Sequence, residues 1–154
     1  MRGVIEFVDG ENAGAEHEMQ FSRTCAEFCF AIPSSESAVV SAVQAVRKAM
    51  ELIALDEDWI FRVELSLQEA LLNGHFHGNR GNSAREIRVA CILSLKKVEV
   101  HVEDDGVEYD LKQDFFVIDH PKPGGRGLYL IRQLMDSVTI SDSGSQISMA
   151  LAKE

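Results

Sequence analysis

The sequence predicts an α/β protein, a two-layer sandwich in which helices cover one face of a mixed, mainly antiparallel sheet. Residues 85–102 and 138–151 contain apolar residues that alternate along the chain, a pattern typical of antiparallel hairpins. Residues near 37–55, 57–77 and 127–136 repeat apolar side chains at helical spacing. Hairpins and one-sided helices together predict a single sheet with helices packed on it.

Composition restricts the class of protein. A chain of 154 residues with 45% hydrophobic content is large enough for one compact domain with a real core. The formal charge of −10 argues against a general nucleic-acid binder, because phosphate contacts need a basic face. The sequence has no apolar run of membrane-spanning length and no leader-like start, and its three cysteines lack zinc spacing. We therefore expect a cytoplasmic protein that contacts neither membrane nor nucleic acid.

The start of the chain divides at residue 25. Residues 1–24 mix short apolar pieces with a turn signal at Asp9-Gly10, which predicts an N-terminal extension or a small hairpin. Residues 25–32 are mostly apolar and stop at Pro33, as a strand does, and Ser34 and Ser35 offer N-caps for the helix that follows. The main domain is expected over residues 25–154.

The helix over residues 57–77, preceded by a capping Asp56, is central to the prediction. At about 100° per residue its apolar side chains form two stripes, so we expect it to be packed on two sides. The first stripe is Ile60, Val63, Leu67, Ala70 and Leu71, and the second is Phe61, Leu65, Leu72 and Phe76.

Between the stripes, Glu69, Asn73 and His77 are spaced at i, i+4 and i+8 on one polar arc. A carboxylate, an amide and an imidazole in one row suit a metal-bound polyphosphate. The alternative is a solvated helix face without a ligand.

Two glycine-containing segments complete the pattern. Asp104, Asp105 and Gly106 directly follow a predicted strand, where an α/β protein places a ligand-orienting acid, although a plain turn has the same composition. Residues 124–127 bring glycines to the start of a helix, where backbone N–H groups and the helix dipole favour an anion. Residues 110–123 between them have no sustained period and are predicted to form a lid.

The order and wording of these segments resemble the GHKL (histidine-kinase-like) ATPase superfamily, and most closely its branch of anti-sigma-factor serine/threonine kinases from bacterial partner-switching systems. The resemblance covers residues 25–153 and implies the Bergerat fold. The N box is Glu69-Ala70-Leu71-Leu72-Asn73, continuing to His77-Gly78-Asn79; the first glycine box is Asp104-Asp105-Gly106; the second is Gly124-Gly125-Arg126-Gly127-Leu128.

This resemblance implies ATP and Mg²⁺ as cofactors and a role for each boxed residue. Asn73 would ligate Mg²⁺, and Glu69 would act as general base. Asp104 would accept the adenine amino group, and Gly106 would let the base approach the backbone. The second glycine box would contact the phosphates through Gly124, Gly125, Arg126, Gly127 and Leu128. His77 would also contribute to binding the cofactor.

The implied function is that of a protein serine/threonine kinase that sequesters a sigma factor or similar regulator and phosphorylates a small STAS-type anti-sigma antagonist; a homodimer is compatible with it. An alternative is a nucleotide-dependent binding module with weak or no kinase activity. Glu108 favours this alternative, since it occupies a place where the family often has glycine. An ATPase without a protein acceptor is a third interpretation.

Overall fold

The computed structural model describes residues 20–22, 24–106 and 126–154. Its strands form one six-stranded sheet in the order β1-β2-β3-β4-β6-β5. The strands are β1 Gln20–Phe21, β2 Cys25–Pro33, β3 Glu86–Ser94, β4 Lys97–Asp104, β5 Ser137–Ile140 and β6 Gln146–Ala152. Both predicted hairpins are present, as β3-β4 and β5-β6.

Within the described ranges, three α-helices pack on one face of this sheet: α1 Glu36–Leu52, α2 Glu57–Asn73 and α3 Arg126–Leu134. Alternate side chains of the long strands are buried against them, so the predicted two-layer α/β sandwich is confirmed. Every pairing between the described strands is antiparallel, so this part of the sheet lacks the parallel pair that a mixed sheet would contain. No helix in the described ranges is both long and apolar enough to cross a bilayer.

Local signals in the sequence set where α1 and α2 begin. The Ser35 hydroxyl accepts from the Ala38 N–H at 3.2 Å, and the Asp56 carboxylate accepts from the Asp58 N–H at 3.0 Å. Each cap satisfies an N–H that has no partner within its helix. The neighbouring Ser34 is buried and instead pairs with His75 at 2.8 Å between Oγ and Nδ1.

The prediction that α2 is packed along two apolar stripes is wrong. The first stripe is buried in the core, but Phe61 and Phe76 of the second are 57% and 49% exposed. The neighbouring helices instead meet the polar arcs: α1 through the Arg47–Glu64 ion pair, and α3 through Arg62, whose Nε donates to the Leu134 carbonyl at 2.6 Å. Phe61 and Phe76 therefore stay at the surface, whereas Leu72 of the same stripe is partly buried against the core.

The helix also changes its winding earlier than predicted. Regular α-helix ends at Asn73, and residues Gly74–Gly78 form a π turn in which the Asn79 N–H donates to the Gly74 carbonyl at 2.7 Å. An i to i+5 turn is wider than an α-helical turn. The predicted row of Glu69, Asn73 and His77 therefore holds for Glu69 and Asn73, which lie on regular α-helix, but not for His77.

Candidate functional site

The predicted N box and first glycine box meet in one cleft between the helices and the end of β4. The π turn and the start of α3 form two of its walls, and the β5-β6 connection closes it. The lining residues are Ala70, Asn73, Gly74, Gly78, Val102, Asp104, Leu128, Gly144, Ser145 and Ile147.

Asp104, the last residue of β4, is the charged group in this lining. Its backbone N–H donates to the Ser145 carbonyl at 3.0 Å, and its Oδ1 accepts from the Gly106 N–H at 2.8 Å. Burial raises the pKa of its carboxyl above the ordinary value, and the Gly106 hydrogen bond works in the opposite direction. A half-buried carboxylate with spare acceptor capacity suits a ligand that offers N–H donors.

Two glycines allow this carboxylate to sit against the π turn. A Cβ atom at Gly78 would overlap the Asp104 carboxylate, and a Cβ atom at Gly106 would overlap the backbone of Gly78. At Gly74 the nearest atom would be at an ordinary 3.6 Å. Gly78 and Gly106 are therefore required by close packing between two elements, whereas Gly74 is not.

The next acid, Asp105, is held away from the cleft. Its carboxylate accepts from Arg88 Nη1 at 2.7 Å and from the Glu86 N–H at 3.1 Å, and these hydrogen bonds lower its pKa. Its own N–H donates to Oδ1 of the buried Asn79 at 3.0 Å. Asp105 is thus committed to holding the turn.

Glu69 and Asn73 lie where α2 meets the start of α3. A Cβ atom at Gly127 would lie 2.5 Å from Glu69 Oε2 and 3.4 Å from Asn73 Nδ2, so α3 approaches these side chains as closely as a glycine allows. Asn73 Nδ2 is buried and has no hydrogen-bond partner among the residues that the structure describes. A buried amide nitrogen of this kind is costly unless a ligand or solvent satisfies it.

Of the other predicted site residues, some line the cleft and some do not. Leu128 is buried and lines the cleft, whereas Arg126 is exposed at the first position of α3. His77 lies half-buried within the π turn and is not part of the cleft lining. Gly124, Gly125, Glu108, the predicted lid and most of the N-terminal extension lie outside the described residues.

Sequence reasoning gave no role to several residues that shape the site. Gly78 and Asn79 appeared only as the continuation of the N box, and Gly144 only as a position inside the hairpin predicted over residues 138–151. Ser145 and Ile147 carried no signal, because an ordinary turn and an apolar strand residue have the same composition.

Comparison with known proteins agrees with this geometry. Residues 32–151 match the family described as the histidine kinase-like ATPase domain. The serine-protein kinase RsbW of Listeria monocytogenes is 33% identical over 97 residues, which is 56% of this chain and 62% of that protein. RsbW of Bacillus pumilus is 28% identical over 102 residues, covering 59% and 62% of the two chains.

A further relative is the serine/threonine-protein kinase BtrW of Bordetella bronchiseptica, 29% identical over 99 residues, which covers 58% of this chain and 70% of that one. Among solved structures, the RsbU and RsbW domains of Rv1364c from Mycobacterium tuberculosis share the fold. The TM-score is 0.57 at 18% identity, over 82% of this chain and 32% of that chain.

The alignments with the RsbW proteins span about three fifths of those proteins' length. The family match covers most of the present chain, including the N box and the described parts of both glycine boxes. The chain belongs to the histidine kinase-like ATPase family.

Proposed function

We propose that this protein is an ATP-binding anti-sigma regulatory factor with serine/threonine kinase activity toward a small anti-sigma antagonist protein. One observation carries the proposal: Asn73, Asp104 and Leu128, which lie far apart in the sequence, line a single cleft, and Glu69 lies one helical turn from Asn73. Phosphoryl transfer depends mainly on positioning and charge stabilisation, which such a convergence supports.

The residues of the cleft fit a nucleotide with a divalent cation. The Asn73 amide, whose nitrogen lacks a partner in the described part of the chain, is available to a ligand, and its oxygen is of the type that Mg²⁺ accepts. Asp104 would accept the adenine amino group, next to the close approach of Gly106. Bound ATP supplies the phosphoryl group, and Mg²⁺ offsets the negative charge of the phosphates.

The phosphates would be met at the start of α3. Here the backbone of Gly127 lies beside Asn73, and the Arg126 side chain is exposed and able to turn toward an anion. Helix N-termini favour anions because their first N–H groups are unpaired and the helix dipole is positive there. Gly124 and Gly125 extend the same proposal on sequence grounds.

Glu69 would act as the general base. In the described part of the chain no ion pair or hydrogen bond commits its carboxylate, and it faces the start of α3. It would draw the proton from an incoming serine or threonine hydroxyl as that oxygen attacks. A positioned base contributes about 10²–10⁴ in rate.

The proposed partners are a STAS-type antagonist, as phosphate acceptor, and a sigma factor or similar regulator, in the cytoplasm and without direct nucleic-acid or membrane contact; a homodimer fits this scheme. The names of the relatives, serine-protein kinase RsbW and serine/threonine-protein kinase BtrW, support the kinase assignment. Phe61 and Phe76 are exposed apolar side chains that a partner protein could cover.

The test begins with capture of the partners from native cytoplasm in the presence of ATP or ADP. Single-turnover phosphate transfer to the captured antagonist is then measured with ATP affinity for the wild type, Glu69→Gln and Glu27→Gln. Glu27 is an exposed acid on β2 and serves as the charge-matched control. Glu69→Gln should keep its ATP affinity and lose about 10²–10⁴ in rate, and Glu27→Gln should keep both.

Transfer at the wild-type rate by Glu69→Gln would remove Glu69 from the mechanism. If the wild type binds ATP and its partner but transfers nothing, the protein is a nucleotide-dependent binding module.

A further inference from the structure

Asn79 is a polar residue that is fully buried directly after the π turn. Its Oδ1 accepts from the Asp105 N–H at 3.0 Å, and its Nδ2 donates to the Glu86 carbonyl at 3.0 Å. Its backbone N–H closes the π turn on Gly74. With both ends of its amide engaged and no exposed surface, Asn79 is not a ligand-contacting group.

These hydrogen bonds connect the π turn with the two strand ends beside the cleft. Glu86 begins β3, and Asp105 immediately follows the last residue of β4. The turn after β4 is held from its other side as well, since the Asp105 carboxylate accepts from the Glu86 N–H and from Arg88. Asn79 is thus the link from the helix layer to a turn that the sheet already holds.

The turn that Asn79 holds carries the cleft carboxylate. Asp104 precedes Asp105, and the Gly106 N–H fixes Asp104 Oδ1 at 2.8 Å. Gly78, the residue before Asn79, leaves no space between its backbone and that carboxylate. A shift of the turn relative to the π turn would therefore move the carboxylate within the cleft.

We propose that Asn79 is a positioning residue for base recognition, which sets the preference of the cleft for adenine over guanine by fixing the Asp104 carboxylate. The inference rests on the proposed function, in which Asp104 accepts the base amino group. At the equivalent edge adenine carries an amino donor and guanine a carbonyl acceptor. A fixed carboxylate accepts from the first and repels the second, whereas a carboxylate free to move discriminates less.

The test compares Asn79→Ala with Asn82→Ala, a matched control in the same loop. Asn82 is exposed, and its side chain accepts from the Ala84 N–H of the same loop at 3.0 Å. Affinities for Mg²⁺-ATP and Mg²⁺-GTP are measured by calorimetry. We expect Asn79→Ala to lose about tenfold or more in ATP affinity with a smaller loss for GTP, so the ATP-to-GTP preference falls; Asn82→Ala should match the wild type.

An Asn79→Ala protein that is folded and keeps the wild-type preference would overturn the inference, as would equal losses for both nucleotides, which indicate a general structural role. If wild-type protein bound neither nucleotide, the proposed function would fail together with this inference. A wild type that prefers ATP, with an Asn79→Ala variant of equal preference, would overturn the inference alone.

If the Asn79→Ala variant does not fold, NMR of the wild-type protein tests the inference instead. The side-chain amide signals of Asn79 and the backbone amide signal of Asp105 should shift on saturation with Mg²⁺-ATP and not with Mg²⁺-tripolyphosphate, which lacks the base. Signals that stay unchanged at saturating ATP, or that shift equally with tripolyphosphate, would overturn the inference.

Discussion

Asp104 and Asp105 are adjacent acids with opposite environments. Asp104 is half-buried at the cleft, where burial raises its pKa, and its side chain accepts a hydrogen bond from the Gly106 N–H. Asp105 is exposed, and its contacts with Arg88 and the Glu86 N–H lower its pKa. Successive side chains at the end of a strand point to opposite sides of a sheet. That alternation leaves one carboxylate for a ligand and commits the other to the fold.

The largest effect is expected where a substitution displaces Asp104 itself. Gly78→Ala places a Cβ atom on the Asp104 carboxylate, so the cleft must distort; we expect a loss of about 1–3 kcal/mol in unfolding free energy together with loss of ATP binding. Gly74→Ala, with ordinary contacts at 3.6 Å, should retain both. Urea unfolding and ATP calorimetry on the two variants provide the measurement. Equal behaviour of the two would show that the close packing at Gly78 does not matter.

The next effect separates the two acids by ligand affinity. Asp104→Asn should weaken ATP by about 10–100-fold, because a hydrogen bond to a charged group contributes about 1.5–3 kcal/mol. Asp105→Asn should leave ATP affinity within about threefold of the wild type, since the amide keeps an oxygen that can accept from the Glu86 N–H and the backbone N–H of residue 105 still donates to Asn79. Calorimetry with Mg²⁺-ATP distinguishes them. A larger loss for Asp105→Asn than for Asp104→Asn would reverse the assignment of the two acids.

The smallest effect concerns stability against pH, and its sign differs between the two residues. The pKa of Asp104 is higher in the folded protein than its ordinary value of 3.8, so the charged carboxylate destabilises the fold. This destabilisation is complete above the folded pKa and absent below pH 3.8. Asp104→Asn should therefore be more stable than the wild type at neutral pH, and the difference should disappear as the pH falls below 3.8.

The pKa of Asp105 is lower in the folded protein than its ordinary value of 3.8, so the charged carboxylate stabilises the fold. This stabilisation is complete above pH 3.8 and is lost as the pH falls through the folded pKa. Asp105→Asn should be less stable than the wild type at neutral pH, by up to about 1 kcal/mol because the ion pair with Arg88 is at the surface. Urea unfolding at pH 7 and at pH 3 measures both differences. If both variants changed the unfolding free energy in the same direction at pH 7, the two acids would not have opposite environments.

The sequence was informative where a local rule fixes the outcome. Alternation predicted the two hairpins, and Ser35 and Asp56 cap the helices as their composition indicates. The cleft residues Asn73 and Asp104 were predicted because each lies in a recognisable motif at a definite place along its element.

Tertiary contacts decided the remainder. Helical periodicity marked Phe61 and Phe76 as an apolar stripe but contained no information about which neighbour covers it. The π turn departs from the expected α-helix because Asn79 and His75 hold it to other elements, through Glu86, Asp105 and Ser34. No local pattern announces such long-range hydrogen bonds.

The position of β6 between β4 and β5 has a consequence for synthesis of the protein on the ribosome. The wall of the cleft beside Asp104 is made by Ser145 and Ile147, from the last hairpin along the described chain. A nascent chain that ends before this hairpin has both the N box and Asp104 but leaves the open edge of β4 without its neighbour. Under the proposed function, the nucleotide site is therefore complete only once this hairpin has left the exit tunnel, and a chain that terminates before the hairpin lacks one wall of the site.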